Sequence, residues 1–195
     1  MVNLTRIYTK SGDDGETHLA NNAPVQKSDP RLEAFGAVDE ANCAVGIALA
    51  GGAPDDIAPV LAALQNQLFD LGADLATPGA DGVDADAISQ LEAWCDQFNA
   101  RLPVARSFVI PGGSLCAAHL FAACAAVRRA ERAAWVAADE VGLSSDGVIA
   151  GQGGLNPLAL RYLNRLSDLL FILARHANKA AEQPEVLWVP AHSTL

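Results

Sequence analysis

SLCAAHLFAACAAVRRAERAAWVAADE, residues 114–140, is the stretch that decides the fold. It follows the break Pro111-Gly112-Gly113, and its richness in alanine favours helix over strand. Leu115 to Val127 is the longest apolar run of the chain, thirteen residues including His119. A membrane span needs roughly 18 such residues, so the run predicts a helix of a soluble, intracellular protein.

Four more helical stretches lie around it. One starts at Ser28 or Asp29, a good N-cap with Pro30 at an early helical position, and runs to Gly51. A second covers residues 55–76, between Pro54 and Pro78. A third, Asp84 to Leu102, carries Ile88, Leu91, Trp94, Cys95 and Phe98 at helical spacing. The last runs from Asn156-Pro157 to Ala181. Its leucines Leu160, Leu163, Leu166, Leu170 and Leu173 make an apolar stripe, and Arg161, Asn164, Arg165, Asp168 and Arg175 a polar one. Spacing does not decide whether that polar stripe faces water or lines a cleft or interface. Long helices joined mostly by short breaks predict an all-α protein, a five-helix antiparallel bundle over residues 29–182. Residues 1–28, rich in Thr, Ser, Gly, Asp and Asn, read as an ordered loop or arm. Residues 183–195, with two prolines and Trp188, read as a non-helical tail. Residues 141–155 hold five glycines and predict a flexible connection.

Composition excludes several function classes. The chain has 195 residues, 51% apolar and 18% charged, with a formal net charge of −10. Such an acidic chain is a poor general binder of nucleic acid or of anionic membranes, so a polyanion would have to meet a few concentrated cations. The four cysteines, Cys43, Cys95, Cys116 and Cys124, form no C-x-x-C pair and show no zinc spacing. They read as free thiols of a reducing cytoplasm. His18, His119, His176 and His192 are scattered and suggest no triad or metal geometry.

Three constellations carry possible chemistry. Tyr8-Thr9-Lys10-Ser11-Gly12-Asp13-Asp14-Gly15-Glu16-Thr17 combines close-approach glycines, hydroxyl donors and one cation. Those are phosphate-binding features, and Asp13 or Asp14 suits a hydrated Mg²⁺ beside phosphates. It is not a Walker A loop, and the same residues also make an ordinary surface turn. Arg128-Arg129-Ala130-Glu131-Arg132 puts three arginines in five positions. They clamp a triphosphate or form a solvated helix end with internal ion pairs. Asp39 and Glu40 interrupt an apolar helix. Either one pairs with an arginine of another helix or subunit, or both face water.

In order along the chain stand RIYTKSGDDGET (6–17), Lys27, DPRLEAFGAVDEAN (29–42), QLFDLGADL (67–75), FVIPGGS (108–114), RRAER (128–132) and RYLNRLSDLLFILAR (161–175). Together they resemble the PduO-type ATP:corrinoid adenosyltransferases over nearly the whole chain. The resemblance implies a ferritin-like five-helix bundle that assembles as a homotrimer with active sites between subunits. It implies transfer of the 5′-deoxyadenosyl group of ATP to the cobalt of a reduced corrinoid, cob(I)alamin, with release of triphosphate. Co(I) would be the nucleophile on ribose C5′, so no catalytic Ser, Cys or His is required. The protein's tasks would be positioning and electrostatics. A corrinoid reductase and an adenosylcobalamin-dependent enzyme would be its partners.

Residue by residue, the resemblance gives the triphosphate to Thr9, Lys10, Ser11, Gly12, Asp13, Gly15 and Thr17, with Lys27 nearby and Mg²⁺ on the phosphates. Arg128, Arg129, Glu131 and Arg132 would meet phosphates and ribose, and Asn164 the nucleoside. Phe108 would occupy the lower face of the corrin and displace the axial base, leaving Co(II) four-coordinate and easier to reduce. Phe171 would pack on the corrinoid. Without the resemblance, Phe108 and Phe171 read as core residues.

The chain departs from the family pattern in two places. Family members commonly read L-H-x-x-R-x-x-x-R-R-A-E-R on the fourth helix, whereas here Phe121 stands for the histidine and Cys124 for the first arginine. In the family that arginine pairs across the subunit interface with the aspartate matching Asp39, so Asp39 is expected to be re-paired or hydrated. This departure supports a second reading, a corrinoid- or ATP-binding carrier or regulator with weakened catalysis. The other departure is the long Gly-rich segment 141–155, an insertion or a lid.

Overall fold

The computed structural model describes residues 8, 10, 12–144 and 153–191. A short antiparallel hairpin, β1 (Glu16–His18) with β2 (Pro24–Gln26), precedes five helices. These are α1 (Pro30–Ala50), α2 (Ala58–Ala76), α3 (Ala85–Asn99), α4 (Leu115–Val141) and α5 (Pro157–Ala180). Most starts are set locally. Asp29, Asp84, Ser114 and Asn156 each accept a backbone N–H of the first turn through the side chain, which satisfies a donor the helix leaves unpaired.

Two helices are shorter than the sequence predicts, and proline explains both. Residues 55–57 form a turn closed by the Ile57 N–H on Pro54 O at 2.9 Å. A helix starting at Asp55 would need Pro59 to donate to Asp55 O, and Pro59 has no N–H. The third helix stops at Asn99 and frays into a turn through Leu102, because a residue before a proline, here Pro103, is disfavoured in the helical region.

Four helices close a ring in the order α2, α1, α4, α5, and α2 touches α5. Cross-links fix their directions. Arg31 of α1 lies opposite Leu75 of α2, and Asn42 opposite Gln65. Glu33 lies opposite Arg129 and Gly51 opposite His119, Cys124 opposite Ser167 and Glu131 opposite Asn164, and Tyr162 opposite Gln67, so ring neighbours run antiparallel. The fifth member, α3, packs outside on α5 and runs parallel to it, with Glu92 beside Arg165 and Phe98 beside His176. The buried faces of α1 and α4 are largely alanine, including Ala34, Ala37, Ala41, Ala123, Ala130 and Ala134. Such small side chains let the two axes approach closely. Leucines of α2 and α5 fill the other half of the core.

Both ends of the Gly-rich connection are pinned. Leu143 bridges Leu155, and the Ser144 N–H donates to Leu155 O at 2.9 Å. Buried Arg31 donates to Leu75 O and to Gly153 O, both at 2.8 Å. A Cβ on Gly153 would collide with the backbone of Pro78 and Gly79. The expected insertion or lid between these ends, residues 145–152, lies outside the described residues.

Candidate functional site

The arm is a built element. The Lys27 N–H donates to Gly15 O at 2.8 Å, closing the hairpin. The Lys27 side chain then lies across Gly12, where an added Cβ would sit 2.9 Å from Nζ. Gly15 (φ +85°) and Lys10 (φ +64°) turn the chain through the left-handed region, which needs glycine at low cost and strains a lysine. Lys10 and Asp13 are exposed and Thr17 half-buried. Thr9 and Ser11 lie outside the described residues. Below the arm, Lys27, Ser28, Pro30 and Glu33 face Ala133 and Val136 of α4 across a cavity of about 280 Å³.

The RRAER segment splits between two flanks of α4. Arg129 turns to α1 and binds the carboxylates of Glu33 (3.4 Å) and Glu40. Glu131 turns to α5, where its Oε1 accepts the Asn164 amide at 3.1 Å. The Asn164 Oδ1 in turn accepts Arg165 Nη1 at 3.0 Å, and Arg165 Nε donates to Glu92 at 2.9 Å. Asn164 is thus held from both ends. Arg132 folds back on its own helix, donating to Arg128 O at 3.0 Å. Arg128 is exposed and makes no ion pair among the described residues.

The residues that depart from the family pattern belong to the α4–α5 seam. Cys124 is buried, and its thiol donates to Ser167 O at 3.2 Å. Burial pushes this thiol's pKa up, with Arg128 opposing and Asp168 adding to the rise. Phe121 meets Phe171 edge to face, centroids 5.9 Å apart. Asp39 is exposed and makes no ion pair among the described residues. The candidate replacements, Arg129 and Arg132, are engaged elsewhere, so among the described residues Asp39 is open to solvent and not re-paired.

Two side chains whose surroundings the sequence left open have defined places. Arg175 shares the polar stripe of α5 yet is buried, 4% exposed, against Glu185 and Pro103 O. Phe108 is not a core residue: it is 79% exposed. It sits on a loop fastened at both ends. Arg175 Nη2 holds Pro103 O at 2.8 Å, while Asn178 donates to Gly112 O and accepts from the Ser114 N–H, both at 2.9 Å. Between these points the loop pairs with the tail. The Ile110 N–H donates to Val186 O and the Trp188 N–H to Phe108 O, each at 2.8 Å. The rings of Phe108 and Trp188 lie edge to face at 6.0 Å. Phe171 is half-buried against the core.

Sequence reasoning offered Glu40 as one of two carboxylates that could pair with an arginine of another helix, and it does pair with Arg129, but it missed Glu33 on the same arginine and gave Trp188 no role. The seven-residue spacing of those two acids, two turns of one helix, was the available signal. For Trp188 it was the apolar run Val186-Leu187-Trp188-Val189 in an otherwise polar tail. Among the described residues no group of three or more His, Cys, Asp or Glu side chains could hold a metal ion.

A family model described as cobalamin adenosyltransferase matches residues 7–177. The corrinoid adenosyltransferase of Mycobacterium tuberculosis (strain H37Rv) is 49% identical over 197 residues, covering 97% of this chain and 95% of the relative. The cobalamin adenosyltransferase of Cupriavidus metallidurans is 40% identical over 186 residues, covering 95% of each. A solved variant of the Lactobacillus reuteri PduO-type ATP:corrinoid adenosyltransferase, complexed with cobalamin and ATP, superimposes with a TM-score of 0.83 at 32% identity. That match covers 95% of this chain and all of the other.

Proposed function

This chain belongs to the cobalamin adenosyltransferase family, and from that premise we infer that it carries the family's reaction. It is an ATP:corrinoid adenosyltransferase that moves the 5′-deoxyadenosyl group of ATP to the cobalt of a reduced corrinoid. Co(I) supplies the electron pair, the cobalt–carbon bond forms at ribose C5′, and the C5′–O bond breaks as triphosphate leaves. No side chain donates a nucleophile, so the protein contributes orientation and charge.

The observation that carries this reading is Phe108, a large apolar side chain 79% exposed on a loop tied down at both ends. A ring displayed on rigid backbone and left out of the core suits a contact with a flat apolar ligand face. Its role is to occupy the lower face of the corrin. Phe171 packs on the corrinoid from the α5 side.

Lys10, Gly12, Gly15, Thr17 and Lys27 hold the triphosphate, with Thr9 and Ser11 of the same loop. Mg²⁺ would accompany the phosphates, and Asp13 or Asp14, both exposed carboxylates of the arm, would meet it through its waters. One or two carboxylates with phosphates and waters suffice for Mg²⁺. When bound, the ion neutralises phosphate charge. Arg128 makes no ion pair among the described residues and is available to phosphate, whereas Arg129 must release Glu33 and Glu40 to reach it. Asn164, oriented by Glu131 and Arg165, reads the nucleoside.

One protomer separates these groups. Lys27 and Gly12 lie on the α1 flank of α4, and Glu131 and Asn164 on the α5 flank. A site completed between subunits reconciles them, and the homotrimer is the assembly we propose. Exposed Trp135 and Val136, one turn beyond RRAER, suit such an interface. Asp39 belongs to the same interface. No helix among the described residues is long and apolar enough to cross a membrane, and we place the protein in the cytoplasm, with a corrinoid reductase and an adenosylcobalamin-dependent enzyme as partners. The weakened-carrier reading rested on Phe121 and Cys124, and both pack in the α4–α5 seam.

The test is direct. Purified protein, ATP, Mg²⁺ and chemically reduced corrinoid should give the cobalt–carbon spectrum with release of triphosphate. Absence of the new bond at saturating ATP would overturn the assignment.

A further inference from the structure

The Phe108 loop is supported along its middle by the tail, and the tail presents one aromatic ring to Phe108. Successive residues of an extended strand point to opposite faces. Val109 accordingly points inward and is buried, while Phe108 and Ile110 face out. On that outer face the ring contact of Phe108 is Trp188, centroids 6.0 Å apart and planes at 68°. Trp188 is itself located by backbone bonds, its N–H on Phe108 O at 2.8 Å and its carbonyl accepting Ser107 Oγ at 3.1 Å. None of these hydrogen bonds uses the indole. The indole is therefore a wall beside Phe108, separable from the pairing that holds the loop.

We propose that Trp188 is a positioning residue for adenosyl transfer: its ring edge selects the orientation in which Phe108 meets the corrin. The proposal rests on the adenosyltransferase reading above. A phenylalanine four-fifths exposed has several staggered orientations open to it, and only a ring held toward the ligand can exclude the axial base from cobalt. Trp188 acts at the step that needs Phe108, the one-electron reduction of enzyme-bound Co(II) to Co(I). It does not act on ATP or on the later displacement at C5′.

Trp188→Ala and Trp188→Phe separate this from a general structural role. Each variant, loaded with ATP and Co(II) corrinoid, is examined by electron paramagnetic resonance for the four-coordinate fraction. Turnover is then measured twice, with Co(II) corrinoid plus a reduced flavin as electron donor, and with Co(I) corrinoid reduced beforehand. Trp188→Ala should lower the four-coordinate fraction and the Co(II)-route rate about threefold to tenfold, the equilibrium shift one edge-to-face ring pair commands. ATP affinity and the Co(I)-route rate should stay within about twofold of wild type. Trp188→Phe, which keeps a ring edge, should recover most of the loss. A wild-type four-coordinate fraction in Trp188→Ala overturns the proposal. So does an equal loss on both routes that Trp188→Phe fails to rescue. If wild type itself forms no cobalt–carbon bond from Co(I), the adenosyltransferase reading fails, and this proposal fails with it.

Discussion

Arg175 and Glu185 form a two-pronged ion pair, Nε to Oε1 at 2.6 Å and Nη2 to Oε2 at 3.2 Å, with the guanidinium 4% exposed. The pair joins the end of α5 to the tail, and its third bond, to Pro103 O, fastens the start of the Phe108 loop. Removing one partner of a buried pair leaves a charge unmatched, a loss of about 3 kcal/mol. Glu185→Ala should therefore lower the melting temperature by about 6–12 °C. It should also free the tail, so that proteolysis cuts earliest after residue 182. A melting temperature unchanged within error would show that Arg175 is satisfied by Pro103 alone.

The two adjacent arginines of RRAER should differ under substitution. Arg128 has no internal anion among the described residues, so its charge is available to phosphate, where charge-assisted contacts contribute about 1.5–3 kcal/mol. Arg128→Ala should weaken ATP binding about tenfold or more. Arg129 is shared between Glu33 and Glu40, all partly exposed, and such surface pairs are worth about 0–1 kcal/mol. Arg129→Ala should change ATP affinity less than Arg128→Ala and should cost little stability. Calorimetric titration of both variants with ATP decides it, and the reverse order would place Arg129, not Arg128, on the phosphates.

Four of the helix starts were legible because capping is local: Asp29, Asp84, Ser114 and Asn156 act within their own first turn. Helix ends at Ile57 and Asn99 were misjudged by three residues where proline chemistry overrides periodicity. The site divided along the same line. The arm and RRAER could be named as phosphate candidates from their residue types, beside an equally available surface reading, and Asn164 only through the resemblance. Their partition between two flanks of α4 could not, because it depends on which helix packs on each side. Arg175 stayed hidden because a stripe at helical spacing does not say what covers it, and here the tail does. Trp188 stayed hidden because its pairing with Phe108 spans 80 residues of chain and leaves no periodic trace.

Thiol reactivity should report the same packing. Cys43 is exposed, Cys116 and Cys124 are buried, and burial pushes both buried thiols' pKa values up. The Cys95 thiol is pushed up to about 11, chiefly by burial, with the carboxylates of Asp168, Asp96 and Glu92 adding and Arg165 opposing. A raised thiol pKa means less thiolate at any given pH, and the thiolate is the nucleophile. At pH 7.5 Cys95 should hold about a hundredfold less thiolate than a thiol at the ordinary value of 9.0. Iodoacetamide with peptide mapping should modify Cys43 first and the other three only slowly, with all four equal in urea. Rapid native labelling of Cys124 would mean that the α4–α5 seam opens readily.

Restoring the family residue at position 124 gives the sharpest test of the departure from the family pattern. If the chain merely lacks an arginine, Cys124→Arg should supply Asp39 with its cation and raise assembly stability or turnover. The geometry argues otherwise. Cys124 is 8% exposed and packs toward Ser167 of α5, while Asp39 sits on α1, the other neighbour of α4. Phe121, one turn earlier, has filled the adjoining space by meeting Phe171. An arginine would overpack this seam, at about 1–3 kcal/mol, and would carry a charge into a site that offers it the Ser167 carbonyl. The expected result is a melting temperature lower by about 2–12 °C, with no gain in turnover. Cys124→Ala, which loses only a thiol and its weak hydrogen bond, should stay close to wild type. A Cys124→Arg protein that is more stable or faster would mean that the arginine escapes the seam and reaches Asp39 in the assembly. The Phe121 and Cys124 pair would then be a defect and not a repacked core.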